Sequence, residues 1–387
     1  MTLPSGAALL PAERRAVLYL AAIYATRLLG LFLLLPVLAL HAGSLPGGTP
    51  LLAGVAVGAY GLSQAMLQIP FGAWSDRFGR RPLIVIGLVL HVLGSAMGAV
   101  AGSAWALIAA RTVQGLGAVS GPVMALLADL TRPASRTRAM FAIGVSIGAS
   151  FVVSLVAGPL LAGAIGVSGV FLLIGALGLV ALAIVLFALP APRAARAPVR
   201  RPWRSVITRE LAPYYAGIFM LHLTLTATFI AVPHALRDLH GIAAGHHWLV
   251  YLAVFAASIA LTVPLVLWSE RRRNGRVSLA GGWLLAGALV VLIWAQDELR
   301  WLCAALALYF GAFNFLESRL PAALTEAAGE QSRGAALGVF ATCQFAGAFT
   351  GGLAGGALLG TPAAGPAIFI AGAVAAFAWL PLARRSG

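Results

Sequence analysis

Ionisable residues are few inside the long apolar stretches of this 387-residue sequence, and Arg27, Arg111, His222 and Glu317 stand in corresponding helices of four three-helix units. His91 lies in a further stretch and is interpreted as structural, and Arg319 lies near the end of its stretch. If those stretches cross a membrane, each charge costs about 2.5–3.5 kcal/mol in the hydrocarbon, so the groups should face a water-filled cavity or one another. Glu317 is the only acidic residue well inside such a stretch. An apolar surrounding favours the neutral form of a carboxyl group, and we interpret Glu317 as a proton-carrying or cation-binding group. The alternatives are a permanent ion pair, for instance with Arg27, or a hydrated position near one face.

Arg111 and His222 each allow a functional and a structural interpretation. Arg111 cannot release a proton at ordinary pH, so it would either hold a carboxylate, a water chain or an anionic group, or serve in packing. His222 would either take part in a proton relay, because histidine changes charge near neutral pH, or pack as a hydrogen-bonded residue. The cluster His240, His246 and His247 lacks the carboxylate or cysteine ligands that would complete a set, so the sequence predicts no metal site.

The stretches that position these residues have membrane-spanning length. The chain is 61% hydrophobic and 10% charged, with a mean hydropathy of +0.95, which leaves too little polar surface for a soluble domain of this size. An apolar helix needs roughly 20 residues to cross the hydrocarbon. The sequence therefore predicts an all-α membrane protein with twelve transmembrane helices, near 16–40, 50–73, 83–101, 104–129, 139–163, 167–190, 211–237, 246–269, 278–296, 299–326, 333–357 and 365–383.

The net charge of +15 is explained by where the basic residues stand. All 26 are arginine, and 21 of them fall on one side of the predicted membrane, whereas Arg237 and Arg300 fall on the other. Basic residues concentrate in cytoplasmic loops, so we expect both termini in the cytoplasm and no nucleic-acid partner. The first apolar stretch contains Arg27 and lacks a clear cleavage site, so we read it as a retained helix rather than a signal peptide.

A charged stretch between the second and third apolar runs is the most specific motif. It reads GAWSDRFGRRPL from Gly72 to Leu83. It resembles the loop between helices 2 and 3 of the major facilitator superfamily, G-x-x-x-D-R-x-G-R-[KR], and the matching residues are Gly72, Asp76, Arg77, Gly79, Arg80 and Arg81. The resemblance implies a gate. It would place Asp76 against the positively polarised start of helix 11 near Arg333, and Arg80 close to Asp129.

Two further motifs extend the resemblance. The sequence RTVQGLG from Arg111 to Gly117 looks like the family's helix 4 motif R-x-x-Q-G-x-G, which is linked there to proton movement. Gly158 and Pro159 resemble the Gly-Pro motif of the family's antiporters, although Ser154 and Ala162 stand where the fuller motif has glycine. The resemblance also implies that helices 1, 4, 7 and 10, which carry the four ionisable residues, line a central cavity.

An internal repeat indicates two similar halves. The sequence WSDR at 74–77 recurs as WSER at 268–271, each time before an arginine cluster and a new apolar run. The resemblance implies two parallel six-helix bundles with a substrate site between them near the middle of the membrane. We expect an N-terminal bundle at 1–190, a Pro- and Arg-rich cytoplasmic linker at 191–209, and a C-terminal bundle at 210–387.

The sequence predicts transport rather than catalysis. It contains no nucleotide-binding loop and no evident nucleophile–base pair, so we expect no enzyme activity and no cofactor. The resemblance favours a monomeric, proton-coupled antiporter of the bacterial inner membrane, embedded in lipid, which exports lipophilic or cationic small molecules by alternating access. The alternative within transport is symport or uniport of a metabolite such as a sugar or carboxylate. An alternative from another functional class is a non-transporting receptor or a lipid scramblase. The sequence ends at Gly387, so we expect it to lack the small cytoplasmic α/β domain that one such antiporter carries.

Overall fold

The structure, a computed structural model, describes residues 8–190, 203–271 and 276–384. Within these ranges the chain is helical, and no strand is present. Eleven helical stretches in this part are long and apolar enough to cross a membrane, and one of them, Arg138–Ala188, spans 51 residues. At about 1.5 Å per residue, that stretch is long enough for two crossings. It is divided at Gly166, whose φ of 71° interrupts the helix.

Twelve helices therefore cross within the described ranges, and each overlaps one predicted apolar run. Their bounds are Pro11–Phe32 (helix 1), Pro50–Phe78 (helix 2), Arg80–Ala99 (helix 3), Ala104–Leu130 (helix 4), the two parts of Arg136–Ala183 before and after Gly166 (helices 5 and 6), Ala212–Asp238 (helix 7), His247–Arg271 (helix 8), Arg276–Trp294 (helix 9), Leu299–Gly329 (helix 10), Ser332–Leu359 (helix 11) and Ala364–Ala383 (helix 12). The predicted all-α membrane fold is confirmed.

Two predicted helices are interrupted. The first apolar run, expected as one helix over 16–40, ends its regular part at Phe32, passes through a turn at 33–37 and resumes as Leu38–Ser44. Pro36 lies within this turn and cannot donate a helical hydrogen bond. Helix 4 consists of Ala104–Leu116 and Ser120–Leu130. Its break follows Gly117, whose backbone lies so close to Gly87 of helix 3 that no side chain would fit.

The helices pack as two groups. In the first, helix 1 packs against the long Arg136–Ala183 stretch, and helices 2 and 3 pack against helix 4. In the second, helix 12 packs against helices 7 and 9. The division at 190 and 210 stays a prediction. Residues 191–202 of the predicted linker lie outside the described residues, whereas Trp203–Val206 forms a short helical turn with Val206 buried. The Tyr215 hydroxyl donates a hydrogen bond to the Val206 carbonyl at 3.1 Å, so this part of the linker is held against helix 7.

The two groups meet through helices 2 and 11 at one end of the molecule. A Cβ added to Gly54 of helix 2 would overlap the backbone of Gly352 and Gly356 of helix 11, and one at Gly58 would lie 2.9 Å from the Phe349 carbonyl oxygen. We call this the opposite end, because it lies away from the arginine clusters at 77–81 and 132–138. Helix 5 makes a second close approach there, since a Cβ at Gly163 would lie 3.0 Å from the Gly245 Cα.

At the arginine-rich end the same helices diverge. A Cβ at Gly72 of helix 2, or at Gly334 or Gly338 of helix 11, would have no atom within 4 Å. The same is true at Gly144 and Gly148 of helix 5. The two groups are therefore closed against each other at the opposite end and apart at the arginine-rich end.

Bulky substitutions on helix 11 should have different effects at the closed opposite end and at the separated arginine-rich end. In a background with Cys303 and Cys343 replaced by serine, Ala348→Cys places a thiol beside Gly61, within the closed end. We expect Gly352→Leu to force helices 2 and 11 apart and to raise labelling of that thiol by a membrane-impermeant maleimide several-fold. Gly338→Leu should not raise it, because the substitution meets open space.

Gly287→Leu on helix 9 is the control, since Gly287 is exposed and a Cβ there has no neighbour within 4 Å. Equal labelling in the Gly352 and Gly287 variants would contradict the close approach of helices 2 and 11.

Candidate functional site

Glu317 lies on helix 10, with 38% of its side chain exposed. Its Oε1 accepts a hydrogen bond from the Gln344 side-chain amide of helix 11 at 3.5 Å. Its Oε2 lies 3.9 Å from His222 Nδ1 of helix 7 and has no hydrogen-bond partner in the described part of the chain. The carboxyl group is thus close to two polar side chains, and its buried Oε2 is left without a partner among the described residues.

Gln344 joins His222 to Glu317. The Gln344 Nε2 atom lies 2.8 Å from His222 Nε2, and His222 Nδ1 lies 3.3 Å from the Ile218 carbonyl oxygen. With Nδ1 donating to that carbonyl, Nε2 is the acceptor, and the two hydrogens of one amide serve both His222 and Glu317. This arrangement suits a neutral histidine, and Glu317 Oε1 can accept the amide hydrogen whether or not the carboxyl group is protonated. Sequence reasoning missed Gln344, because a lone glutamine 27 residues from Glu317 carries no local signal.

Aromatic rings cover the side of this group that faces the first half of the chain. Phe313 lies one turn before Glu317, and its ring centroid is 5.8 Å from the His222 ring. It stacks on Phe151 of helix 5 at 6.3 Å, and Phe151 meets Phe255 of helix 8 edge-on at 5.7 Å. We call Phe32, Phe151, Phe255, Phe310 and Phe313 the aromatic cluster. It crosses between the two groups of helices, and sequence reasoning did not foresee it.

Arg27 and Arg111 lie elsewhere, inside the first group. Arg27 is 2% exposed and Arg111 1%. Arg27 Nη1 donates to Ser120 Oγ at 2.6 Å, and Arg111 Nη1 donates to Gln114 Oε1. The structure therefore brings His222 and Glu317 together but does not bring the two arginines to them. Among the described contacts, the ion pair between Glu317 and Arg27 is not formed in this conformation.

The motif at 72–83 forms a compact cluster around Arg80. Arg80 Nη1 donates to Ser75 Oγ at 2.8 Å and to Asp76 Oδ1, and its Nε lies 3.4 Å from Asp129 Oδ2 of helix 4. Arg80 is 9% exposed. We call these residues the Arg80 cluster. One arginine thus holds the end of helix 2, the start of helix 3 and the end of helix 4.

The expected loop at this motif is almost absent, which corrects the sequence prediction. Helix 2 continues to Phe78 and helix 3 begins at Arg80, so only Gly79 turns the chain, with φ 95°. Only glycine adopts such a φ without strain. Asp76 and Arg80 stand four residues apart and pair across this turn. Arg81 Nη2 reaches the Leu186 carbonyl at the end of helix 6, whereas the exposed Arg77 covers the Phe78 ring at 5.3 Å.

The Gly158-Pro159 motif lies at a contact within the first group. A Cβ at Gly158 would overlap the Leu33 carbonyl and lie 3.3 Å from Pro36 Cγ. Helix 5 therefore packs directly on the turn that follows helix 1. The motif lies inside one half and not between the halves.

Two histidines of the cluster at 240–247 lie within hydrogen-bond distance of backbone carbonyl groups. His240 Nε2 lies 2.8 Å from the Gln296 carbonyl oxygen, and His247 Nε2 lies 2.9 Å from that of Ile242. The described residues contain no group of three or more histidine, cysteine, aspartate or glutamate side chains placed to hold a metal.

Comparison with known proteins identifies the family. A family model described as Major Facilitator Superfamily matches residues 20–243. The chain belongs to the major facilitator superfamily. It is 38% identical over 380 residues to the inner membrane transport protein YajR of Escherichia coli (strain K12), covering 96% of this chain and 83% of that protein. It is 31% identical over 262 residues to the multidrug resistance protein MdtH of Edwardsiella ictaluri (strain 93-146), covering 66% and 65%.

Solved structures show the same fold. A bacterial homolog of the human lysosomal transporter Spinster, in an inward-facing and occupied conformation, superposes with a TM-score of 0.73 at 14% identity, covering 98% of this chain and 95% of that one. The nucleoside transporter NupG (D323A mutant) gives 0.73 at 14%, covering 95% and 99%. At these identities the likeness concerns the fold alone. The protein is thus a multi-pass membrane transporter of the major facilitator superfamily and not an enzyme.

Replacing the arginine at the centre of the Arg80 cluster should destabilise the transporter. In Arg80→Gln, the Asp76 and Asp129 carboxylates lose their shared cation, and we expect a loss of about 1–3 kcal/mol, because hydrogen bonds to a charged group are broken in a half-buried place. The unfolding midpoint of the purified protein in detergent measures it. Arg77→Gln, in the same motif but exposed, should lower the midpoint much less. A fall of equal size in both variants would show that the Arg80 contacts contribute no specific stability.

Proposed function

We propose that this protein is a proton-coupled antiporter that exports lipophilic or cationic small molecules by alternating access. The observation that carries the proposal is Glu317, a partly exposed carboxyl group with an unpartnered Oε2 beside the aromatic cluster. The similarity of the chain to a multidrug resistance protein over part of its length supports the same substrate class. The coupling rests on competition, because a proton and a cationic substrate cannot both neutralise one carboxylate.

The aromatic cluster supports a lipophilic substrate. Phe313 and Phe151 stack at 6.3 Å, and Phe313 stands one helical turn before Glu317. Aromatic faces attract organic cations as well as apolar surface. A substrate with a hydrophobic body and a positive charge would therefore place its body against the rings and its charge against Glu317.

Gln344 would report the protonation of Glu317 to His222. In the arrangement present, its amide donates to both side chains, which an ionised Glu317 satisfies. Once Glu317 is protonated, its hydroxyl can donate to the amide oxygen, which a half-turn of the amide would supply. The same turn would present that oxygen to His222 Nε2. The neutral imidazole would then move its one proton from Nδ1 to Nε2 and give up its hydrogen bond to the Ile218 carbonyl.

The charge distribution orients the cycle. Basic loops concentrate in the cytoplasm, so we place the arginine-rich end and both termini there and interpret the structure as inward-facing. In the outward-facing state the Arg80 cluster would approach helix 11, with Asp76 against the positively polarised start of that helix. We further propose that residues 1–190 and 210–387 move as the two units, with 191–209 as the linker, in a monomer.

A second candidate function is symport or uniport of an anionic metabolite. Arg27 Nε and Nη2 and Arg111 Nε are buried, and the described residues offer them no hydrogen-bond partner. An anion that entered the first half would find donors there. The two coupled candidates differ in the direction of proton movement. A substrate gradient drives protons against the substrate's direction in an antiporter and along it in a symporter.

Glu317→Gln tests the antiport proposal. Glutamine mimics the protonated carboxyl group permanently, so we expect pH-gradient-driven accumulation of a lipophilic cation such as tetraphenylphosphonium in inside-out vesicles to fall at least about tenfold. Exchange of labelled for unlabelled substrate without a gradient should be reduced much less when the substrate is uncharged. Both rates are measured in the same vesicles.

Glu298→Gln is the matched control, because Glu298 pairs only at the surface with Arg300, at 2.6 Å. Full gradient-driven accumulation by Glu317→Gln would refute Glu317 as the proton carrier. Proton uptake driven together with a carboxylate substrate would favour the symport alternative.

A further inference from the structure

Two buried guanidinium groups in the first half have unused donors. Arg27 uses Nη1 for Ser120, but its Nε and Nη2 have no partner among the described residues. Arg111 uses Nη1 for Gln114, and its Nε has none. The Arg111 guanidinium also lies over the Tyr60 ring, 4.8 Å from its centroid. Both side chains are almost fully buried, so bulk water does not reach these donors.

His91 of helix 3 packs against helix 1, which carries Arg27, because a Cβ at Gly30 would be 2.8 Å from His91 Cε1. On its other side Ser95 joins the His91 carbonyl to Gln114, the partner of Arg111. His91 is fully buried, and neither ring nitrogen has a partner in the described part of the chain. A neutral imidazole carries one N–H, so His91 adds a donor that also needs an acceptor.

The first half supplies no carboxylate to balance these charges. Its acidic residues up to position 190 are Glu13, Asp76 and Asp129. Glu13 accepts hydrogen bonds from the Arg132 side chain at 2.9 and 3.1 Å. Asp76 and Asp129 are at the arginine-rich end, with Arg80 between them. Two positive charges are therefore buried among helices 1, 3 and 4 without a carboxylate partner among the described ion pairs, which is costly in an apolar surrounding.

We propose that the first half binds a small anion between Arg27, His91 and Arg111. Arg27 Nε and Nη2, Arg111 Nε and one N–H of His91 are its donors. These donors suit a small inorganic anion such as chloride, or the carboxylate group of a small substrate. The bound anion neutralises one of the two arginines and fills an otherwise donor-only site. The inference does not depend on the antiport proposal, because it requires no proton movement.

The test measures stability and not transport. The purified protein is dialysed into sodium gluconate, and its unfolding midpoint is followed while chloride or acetate replaces gluconate at constant ionic strength. A ligand that binds only the folded state raises the midpoint, and we expect a rise of about 3–6 °C at saturation. Protection by chloride assigns the site to a free inorganic anion. Protection by acetate without chloride assigns it to a carboxylate group, and either result supports the site.

Variants locate the effect. Arg27→Gln and Arg111→Gln should each abolish most of the anion-dependent rise. Gln114→Glu is nearly isosteric and places a carboxylate against Arg111, so the protein should fold and lose the dependence because it carries its own counter-charge. Arg300→Gln, which removes an exposed arginine, should keep the full rise.

Two results would overturn the proposal and leave water as the occupant. One is an equal midpoint in gluconate, chloride and acetate for the unmodified protein. The other is an anion-dependent rise of the unfolding midpoint that stays undiminished both in Gln114→Glu and in whichever of the two single arginine variants folds.

Discussion

The backbone contact between helices 2 and 11 is the interaction on which this conformation depends. Gly54, Gly352 and Gly356 let the two helices touch without intervening side chains. In a membrane, lipid tails are as apolar as leucine, so helices associate through close packing rather than through a hydrophobic drive. A contact made of glycines is therefore a strong one, and it fixes which end is closed. The separation at Gly338 and the access of solvent to Glu317 follow from it.

The described ion pairs of Glu13 and Arg80 at the arginine-rich end lie within the first half. Glu13 Oε1 accepts from the Arg132 backbone at 2.8 Å and from Ser135 Oγ at 2.9 Å, so it holds the start of helix 1 against the turn between helices 4 and 5. Arg80 does the same for helices 2, 3 and 4. These contacts do not involve the second half, so the first half can move as a body without breaking them. A rocking motion that closes the arginine-rich end and parts helices 2 and 11 at the opposite end is compatible with this arrangement.

The sequence predicted the positions of the helices better than the contacts between them. Apolar runs bounded by glycine, proline and arginine located every helix, because the hydrocarbon requires about 20 apolar residues for each crossing. The ends were less certain, since charged residues such as Asp76 and Arg77 remain helical beyond the apolar run. Gln344 and Phe151 could not be assigned, because their partners lie on other helices and no local period relates them. Glu13 was missed for the same reason, as its partners Arg132 and Ser135 are more than 100 residues away.

The separation of charges between the halves gives the proposed coupling a physical basis. Glu317 lies in the second half, whereas Arg27 and Arg111 lie in the first, and no ion pair joins them in the described contacts. An ionised Glu317 would attract the positively charged first half, and the attraction would grow as the two halves approach and water leaves. Protonation of Glu317, or binding of a cation to it, removes that attraction. An anion held at Arg27 and Arg111 would weaken it without abolishing it, because two guanidinium charges exceed one anion. The occupancy of Glu317 would then bias which end of the protein is open.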